Sequence, residues 1–166
     1  MDFRNTYYLA GFMDGEGNFG LHIQQGSNCH IVVQISQRLD SRFVLDKIQE
    51  TFGGAINIDK GRQNRPGMNP VASIIIASRQ SILLLIDYFD RFPLIVKAEQ
   101  YKVWRKAVLF YYQHSVGSAG QGIGNPIWLM DAMEKYATEL KRLREYAAPH
   151  KLPIEYQPLQ LELTTV

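Results

Sequence analysis

The pattern of apolar and polar residues along the chain predicts helices that alternate with pairs of strands. Leu9, Phe12 and Met13 lie at helical spacing, which places an apolar stripe on one face of a first helix. Alternation over residues 18–25 predicts a half-buried strand, and the turn residues after it predict a hairpin with the next strand. The other predicted elements are strands at 31–37, 55–59 and 71–77 and helices at 41–52, 80–89, 97–112 and 128–146.

This order of elements predicts an α+β fold. An α-β-β-α-β-β-α unit forms a four-stranded antiparallel sheet with helices on one face and polar residues on the other, and additional C-terminal helices follow it. Asp40 or Ser41 is the expected N-cap of the second helix, and Gly53-Gly54 is its expected end. The fourth strand is apolar at too many consecutive positions for its faces to be assigned. We expect a single domain over 1–148 and an irregular tail over 149–166.

The first predicted helix ends in two acids held between glycines, Asp14-Gly15-Glu16-Gly17. Gly15 or Gly17 could adopt the left-handed conformation of a helix C-cap. Carboxylates at a helix C-terminus cost stability unless a cation relieves them, and a divalent metal would do so. On the residues alone, an ordinary amphipathic helix followed by a polar turn is the commoner explanation. An EF-hand loop fits less well, because its sixth position is Phe19 and its twelfth is Gln25.

Composition excludes some classes of protein and leaves others open. The 166 residues, 46% of them hydrophobic, are enough for one domain with its own core. No apolar run is long enough to cross a bilayer, and the first residues lack the features of a signal peptide. We therefore expect no membrane association and an intracellular location, either in an organelle (chloroplast or mitochondrion) or in a microbial cytoplasm.

Cysteine content and charge narrow the chemistry only slightly. Cys29 is the only cysteine, which excludes an intrachain disulfide and a cysteine-based zinc site. A net charge of +2 and a pI of about 8.6 are too mildly basic to indicate nucleic-acid binding by themselves.

The stretch Leu9-Ala10-Gly11-Phe12-Met13-Asp14-Gly15-Glu16-Gly17 resembles the motif that names the LAGLIDADG homing endonucleases. It departs from that name at Phe12, Met13, Gly15 and Glu16, which are substitutions that such a motif tolerates. The resemblance extends, in element order and spacing, to about residue 145. It implies a saddle-shaped sheet and a site-specific endonuclease that cleaves DNA by metal-dependent phosphodiester hydrolysis in intron or intein mobility.

The resemblance implies a metal site at the end of the motif helix. Glu16 is the expected side-chain ligand, the carbonyl of Gly15 is a candidate backbone ligand, and Asp14 is expected to be structural. Carboxylate and phosphate oxygens with water suit a hard ion, so Mg²⁺ is the expected cofactor. Mn²⁺ is an alternative, and Ca²⁺ is expected to bind without supporting cleavage.

Three further catalytic roles follow from the same resemblance. Gln37, at the end of the second strand, would position the attacking water. Lys97 would stabilise charge on the scissile phosphate or orient solvent. The basic residue that often lies four places after the Gln is here Ser41, which leaves Arg38 or Arg42 to complete the pocket.

A single motif without an internal repeat predicts a homodimer, because cutting two strands requires two sites. Two motif helices packed together would have axes about 8 Å apart and would bring both Glu16 side chains near the two-fold axis. This spacing is closer to the minor groove, about 6 Å wide, than to the major groove at about 12 Å. We expect cuts across the minor groove of a long pseudo-palindromic target. The expected interface residues are Leu9, Ala10, Gly11, Phe12 and Met13.

The polar face of the sheet is expected to bind double-stranded DNA. Strands about 4.8 Å apart form a ribbon narrow enough for the major groove, and two such faces would cover about 20 bp. On sequence alone, each polar residue could equally be an ordinary solvent-facing side chain. The expected DNA contacts are Asn18, His22, Gln24, His30, Gln34, Ser36, Arg38, Arg42, Lys60 and Arg62.

The sequence is compatible with two other functions. The same scaffold serves in the family as an RNA-binding maturase, with the host intron RNA as its partner. A DNA-binding module that has lost cleavage is the other alternative. Intact Glu16, Gln37 and Lys97 favour the nuclease, because an RNA chaperone has no need of a metal ligand at the helix end.

Overall fold

The computed structural model describes residues 6–24, 28–59, 69–116 and 124–146. Within these ranges the chain forms helices, strands and one short 3-10 turn at Leu39–Ser41. The helices are α1 (Tyr8–Glu16), α2 (Phe43–Phe52), α3 (Arg79–Arg91), α4 (Ala98–His114) and α5 (Ile127–Tyr146). The strands are β1 (Gly17–Gln24), β2 (Asn28–Arg38), β3 (Ala55–Ile58) and β4 (Val71–Ile76).

The four strands form one antiparallel sheet in the order β1-β2-β4-β3. Strand β2 pairs with β1 from Asn28 to Ile35 and with β4 from Val33 to Arg38. Residues 28–32 therefore pair with β1 alone, in the register of the described strands. The predicted α+β fold is confirmed.

One face of the sheet is buried under the helices, and the other face is open. In β1 and β2 the alternating apolar residues point inward, as predicted, and Phe19 is fully buried with its ring 4.9 Å from that of Trp104. Strand β4, whose faces could not be assigned from sequence, buries Ala72, Ile74 and Ile76. Burial of these side chains on one face is the main source of stability for the layered arrangement.

The predicted N-cap of α2 is wrong. Asp40 and Ser41 lie in the 3-10 turn, and α2 begins after Arg42 without a side-chain cap. The Asp40 carboxylate instead accepts hydrogen bonds from Arg38 Nη2 and Ser41 Oγ. The predicted end of α2 is confirmed, because Gly53 and Gly54 have positive φ angles of 77° and 111° that favour glycine.

The predicted tail at 149–166 lies outside the described residues, so the domain boundary stays a prediction. No helix in the described ranges is long and apolar enough to span a membrane.

Candidate active site

Helix α1 continues directly into strand β1 without a loop. Glu16 is the last helical residue, and Gly17 is extended, with φ of −85° and ψ of 158°. The predicted left-handed cap at Gly15 or Gly17 is therefore wrong, because neither residue has a positive φ. Gly17 is needed for a different reason: a Cβ there would lie 1.9 Å from the sulfur of the buried Met13. The glycine lets the Met13 side chain pack over the helix-to-strand junction.

A lysine from a distant part of the chain neutralises the C-terminal end of α1. Lys97 Nζ donates hydrogen bonds to the carbonyl oxygens of Met13 at 2.9 Å, Asp14 at 2.7 Å and Gly15 at 3.3 Å. This ammonium group offsets part of the negative charge at the helix end, and the predicted divalent metal stays a prediction. Burial lowers the pKa of Lys97 below its ordinary value, and the nearby charges of Asp14 and Glu16 oppose that shift.

Asp14 makes the reciprocal connection between the same two segments. Its Oδ2 accepts from the backbone N–H of Ile95 at 2.8 Å, and its Oδ1 accepts from that of Lys97 at 2.9 Å. These amides belong to the turn that precedes α4, where free N–H groups need acceptors. Asp14 and Lys97 therefore tie the end of α1 to the start of α4 from both sides.

Replacing Asp14 should destabilise the protein. The Asp14→Ala variant loses both acceptors at the start of α4, and we expect the free energy of unfolding to fall by about 1–2 kcal/mol, as for other lost helix caps. Urea denaturation followed by circular dichroism would measure this. The matched control is Glu99→Ala, which removes an exposed carboxylate from the first turn of α4 and should change stability by less than about 0.5 kcal/mol. Equal stability of the two variants would contradict the capping role.

An open cleft of about 530 Å³ lies beside the exposed end of α1. It brings together the last residue of α1, the last three residues of β2 and the facing ends of β3 and β4. Gln37 is oriented in it by a hydrogen bond of 2.9 Å from the Arg38 backbone N–H to Gln37 Oε1. The lining residues are Glu16, Ser36, Gln37, Arg38, Asp59, Val71 and Ser73.

The structure brings some of the predicted catalytic residues together and separates others. Glu16, Gln37 and Arg38 share the cleft. Lys97 does not line it but reaches the same helix end through its bond to the Gly15 carbonyl. Arg42 is not part of the lining and is ion-paired with Asp46, with Nε 3.1 Å from Oδ1, at the start of α2.

Sequence analysis missed three residues that line the cleft: Asp59, Val71 and Ser73. Asp59 continues the outward positions of β3, but an exposed acid at a strand end carries no distinctive signal. Val71 and Ser73 lie on β4, whose consecutive apolar residues concealed which face was open. Ser73 is directly opposite Ser36 in the sheet, and their Oγ atoms are 2.7 Å apart. Knowledge of the β2–β4 register could have identified it.

The open face of the sheet carries most of the predicted DNA contacts. Asn18 lies opposite Gln34, and His22 lies opposite His30, so these side chains form rows across β1 and β2. All of them are exposed or half-buried, whereas their sequence neighbours point into the core. The predicted contacts Lys60 and Arg62 lie outside the described residues. Contact with DNA stays a prediction for every member of the set.

The predicted dimer interface is wrong for three of its five residues. Leu9, Ala10 and Met13 are 0%, 2% and 0% exposed, because they pack into the core of their own chain. A different set of α1 residues remains accessible, and we call the surface that they form the outer α1 face. This face is apolar. A Cβ on Gly11 or Gly15 would meet nothing within 4 Å, so the space above both glycines is open. Its members are Tyr8, Gly11, Phe12 and Gly15.

A curated relative shares part of this sequence. Homing endonuclease I-ApeII of Aeropyrum pernix is 29% identical over 107 residues, which are 61% of this chain and 61% of the relative. The matched region therefore spans about three fifths of the length of that protein.

Solved structures share the fold. The archaeal intron-encoded homing endonuclease I-Vdi141I, complexed with DNA, superposes with a TM-score of 0.61 and 22% identity over 82% of this chain and 81% of its own. The LAGLIDADG homing endonuclease I-GzeII, in complex with its DNA target, has a TM-score of 0.59 and 18% identity over 81% of this chain and 43% of its own. At these identities the likeness shows the fold.

The sequence profile of the LAGLIDADG endonucleases matches residues 9–108, more than half of the chain. The match begins at Leu9, so it includes the helix that ends at Glu16 and the strands that complete the cleft. The chain therefore belongs to the LAGLIDADG endonuclease family.

Proposed function

We propose that the protein is a homodimeric, site-specific homing endonuclease that hydrolyses DNA with the aid of a divalent metal ion. The observation that carries the proposal is the cleft in which Glu16, Gln37 and Arg38 meet at the margin of a polar sheet face. A carboxylate, an amide and a guanidinium are the groups needed to bind a hard cation, hold a water molecule and contact a phosphate. Intron or intein mobility is the biological role that follows from family membership.

The residues at the end of α1 fit a hard cation shared with DNA. The described part of the chain contains no group of three His, Cys, Asp or Glu side chains that could hold a metal by themselves. Mg²⁺, however, is commonly bound by one or two carboxylates with substrate phosphates and waters. Glu16 offers an exposed carboxylate, and the carbonyl of Gly15 has a second lone pair beside its bond from Lys97. When bound there, Mg²⁺ or Mn²⁺ supplies a water of lowered pKa and stabilises the charged oxygens of the phosphate.

The other residues of the site position groups around the scissile phosphate. Gln37 holds the attacking water with its amide. Lys97 fixes the end of α1, and thereby the Gly15 carbonyl, through its three bonds to backbone oxygens. Arg38 is the proposed phosphate contact. Its guanidinium is available for this role, because its ion pair with Asp40 is largely exposed and such pairs are weak.

Two observations support a dimer. The described part of each chain has one cleft of this composition, whereas cutting a duplex requires one site for each strand. The outer α1 face is the proposed interface, and its two uncovered glycines allow the second helix to approach closely. The two Glu16 residues would then lie near the two-fold axis, spaced for cuts across the minor groove.

The open sheet face is the proposed site of base recognition. Its amides and imidazoles can form hydrogen bonds with base edges in the major groove, and Gln and Asn suit adenine. I-Vdi141I and I-GzeII, which share the fold, were both solved with DNA. Two such faces related by the dimer axis would cover a pseudo-palindromic target of about 20 bp.

Selection of cleaved sites tests the whole proposal. A randomised duplex library is incubated with the protein and Mg²⁺, and the new ends are sequenced. We expect recovered sites with two related halves and staggered cuts at the centre. No cleavage of any duplex, together with tight binding of a structured RNA, would instead favour the maturase function.

A pair of substitutions tests which arginine completes the pocket. We expect Arg38→Gln to reduce the single-turnover cleavage rate by about 10²-fold, since it removes a charged donor beside the scissile phosphate. Arg42→Gln is the matched control, and its rate should stay within about threefold of wild type because its partner is Asp46. The assignment fails if Arg42→Gln has the larger effect.

A further inference from the structure

The tip of the β1–β2 hairpin extends beyond the four-stranded part of the sheet. Residues 28–32 of β2 pair only with β1, whereas residues 33–38 pair with β4. A two-stranded ribbon is marginally stable in water unless another element supports it. Three of the polar side chains on the open face, those of His22, Gln24 and His30, lie on this ribbon.

The apolar side of the ribbon is covered by α4 and α5, and a buried amide on that side of the sheet adds polar contacts to it. Asn125 is only 7% exposed and directly precedes Pro126 at the start of α5. Its Nδ2 donates to Asn28 Oδ1 at 3.1 Å and to the Tyr111 hydroxyl oxygen at 3.0 Å, and its Oδ1 accepts from the backbone N–H of Val116 at 3.1 Å. One side chain thus joins the hairpin to the end of α4 and the start of α5.

Tyr111 makes a second connection to the same end of β2. Its hydroxyl oxygen accepts from the backbone N–H of Cys29 at 3.4 Å as well as from Asn125. Asn28 and Cys29 are the first two residues of β2, and Asn28 pairs with Gln24. The polar contacts therefore act on the strand residues nearest the hairpin turn.

We propose that Asn125 is a positioning residue for DNA recognition. By fixing Asn28 and Tyr111 relative to each other, it sets the position of the ribbon, and with it the position of His22, Gln24 and His30 against the outer base pairs of the target. Hydrogen bonds weaken steeply with misalignment, so a ribbon that moves loses discrimination between bases. This inference rests on the proposed function.

The test compares two substitutions of similar size. Asn125→Leu removes every hydrogen bond of the amide. Asn125→Asp keeps the acceptor for Val116, and a flipped Asn28 amide and the Tyr111 hydroxyl can both donate to the new carboxylate. Ile48→Val, which removes one methyl group from the buried side of α2, controls for general loss of stability because α2 packs on β3, β4 and α3.

Each variant is assayed on the duplex that wild-type selection recovers most often and on all single-base variants of it. We expect Asn125→Leu to lower base preference about tenfold at the outer positions, with unchanged preference at the central ones. Its single-turnover rate on the best duplex at saturating protein should equal that of wild type. Asn125→Asp should restore the outer preferences, and Ile48→Val should leave the profile unchanged.

The outcomes distinguish the possible failures. A uniform loss of preference at all positions that follows thermal stability, or an unchanged profile for Asn125→Leu, would overturn the positioning role. Absence of specific cleavage by the wild-type protein would instead overturn the proposed function.

Discussion

The Glu16→Gln variant should bind its DNA target with nearly wild-type affinity but should cleave it about 10³-fold more slowly. Glutamine keeps the shape of the side chain and removes the charge that would hold a metal ion at the end of α1. Loss of several kcal/mol of charge stabilisation in the transition state corresponds to a rate decrease of about 10³-fold. Single-turnover cleavage in Mg²⁺ and a parallel binding measurement in Ca²⁺ would separate the two effects.

Asp59 provides the matched control, because it is a second exposed carboxylate in the same cleft. Asp59→Asn changes the cleft charge by the same amount, yet Asp59 follows β3 and is not part of the helix end. We expect its cleavage rate to stay within about tenfold of wild type, as for a residue that acts through weak, screened electrostatics. Cleavage by Glu16→Gln at the wild-type rate would refute the metal-ligand assignment.

The Gly11→Leu variant should fold and yet fail to dimerise. A Cβ at this position would meet nothing within 4 Å, and replacing glycine in a helix favours the folded state by up to about 1 kcal/mol. The same side chain would prevent a second α1 helix from approaching, because close packing of helices requires small residues at the contact. We expect the dimer dissociation constant to rise at least 100-fold, or about 2.7 kcal/mol, and double-strand cutting to be lost with it.

Sedimentation velocity would measure the association state, and circular dichroism would confirm that the variant retains its helices. Thr138→Leu is the matched control, since it places the same side chain on an exposed position of α5, away from α1. A Gly11→Leu protein that still sediments as a dimer would show that the outer α1 face is not the interface.

The strands of this fold were predictable from sequence because their alternation is local. Each of β1 and β2 has one buried and one open face, so a period of two residues identifies both. Strand β4 did not have this property, since Val71 and Ile75 are apolar on the open face as well. Only its pairing with β2 distinguishes the faces, and a pairing between distant strands leaves no periodic signal.

The connection between Asp14 and Lys97 was beyond sequence analysis for a related reason. Its two partners are 83 residues apart, and each residue alone is an ordinary charged side chain at the end of an element. The motif helix shows the same limit of prediction from sequence. Helical spacing correctly identified Leu9 and Met13 as an apolar face, but it could not tell whether that face packs against the same chain or a second one.

The direct passage from Glu16 into Gly17 has a consequence for how the protein would measure its target. The helix proposed to lie at the dimer axis and the strand proposed to contact the bases share one peptide bond, so no linker can absorb a change in the distance between half-sites. One extra base pair at the centre of a target would shift the halves by about 3.4 Å and rotate them by about a tenth of a turn. The junction would thus fix the distance between the two half-sites, and the protein would reject DNA that has the correct sequence but the incorrect spacing.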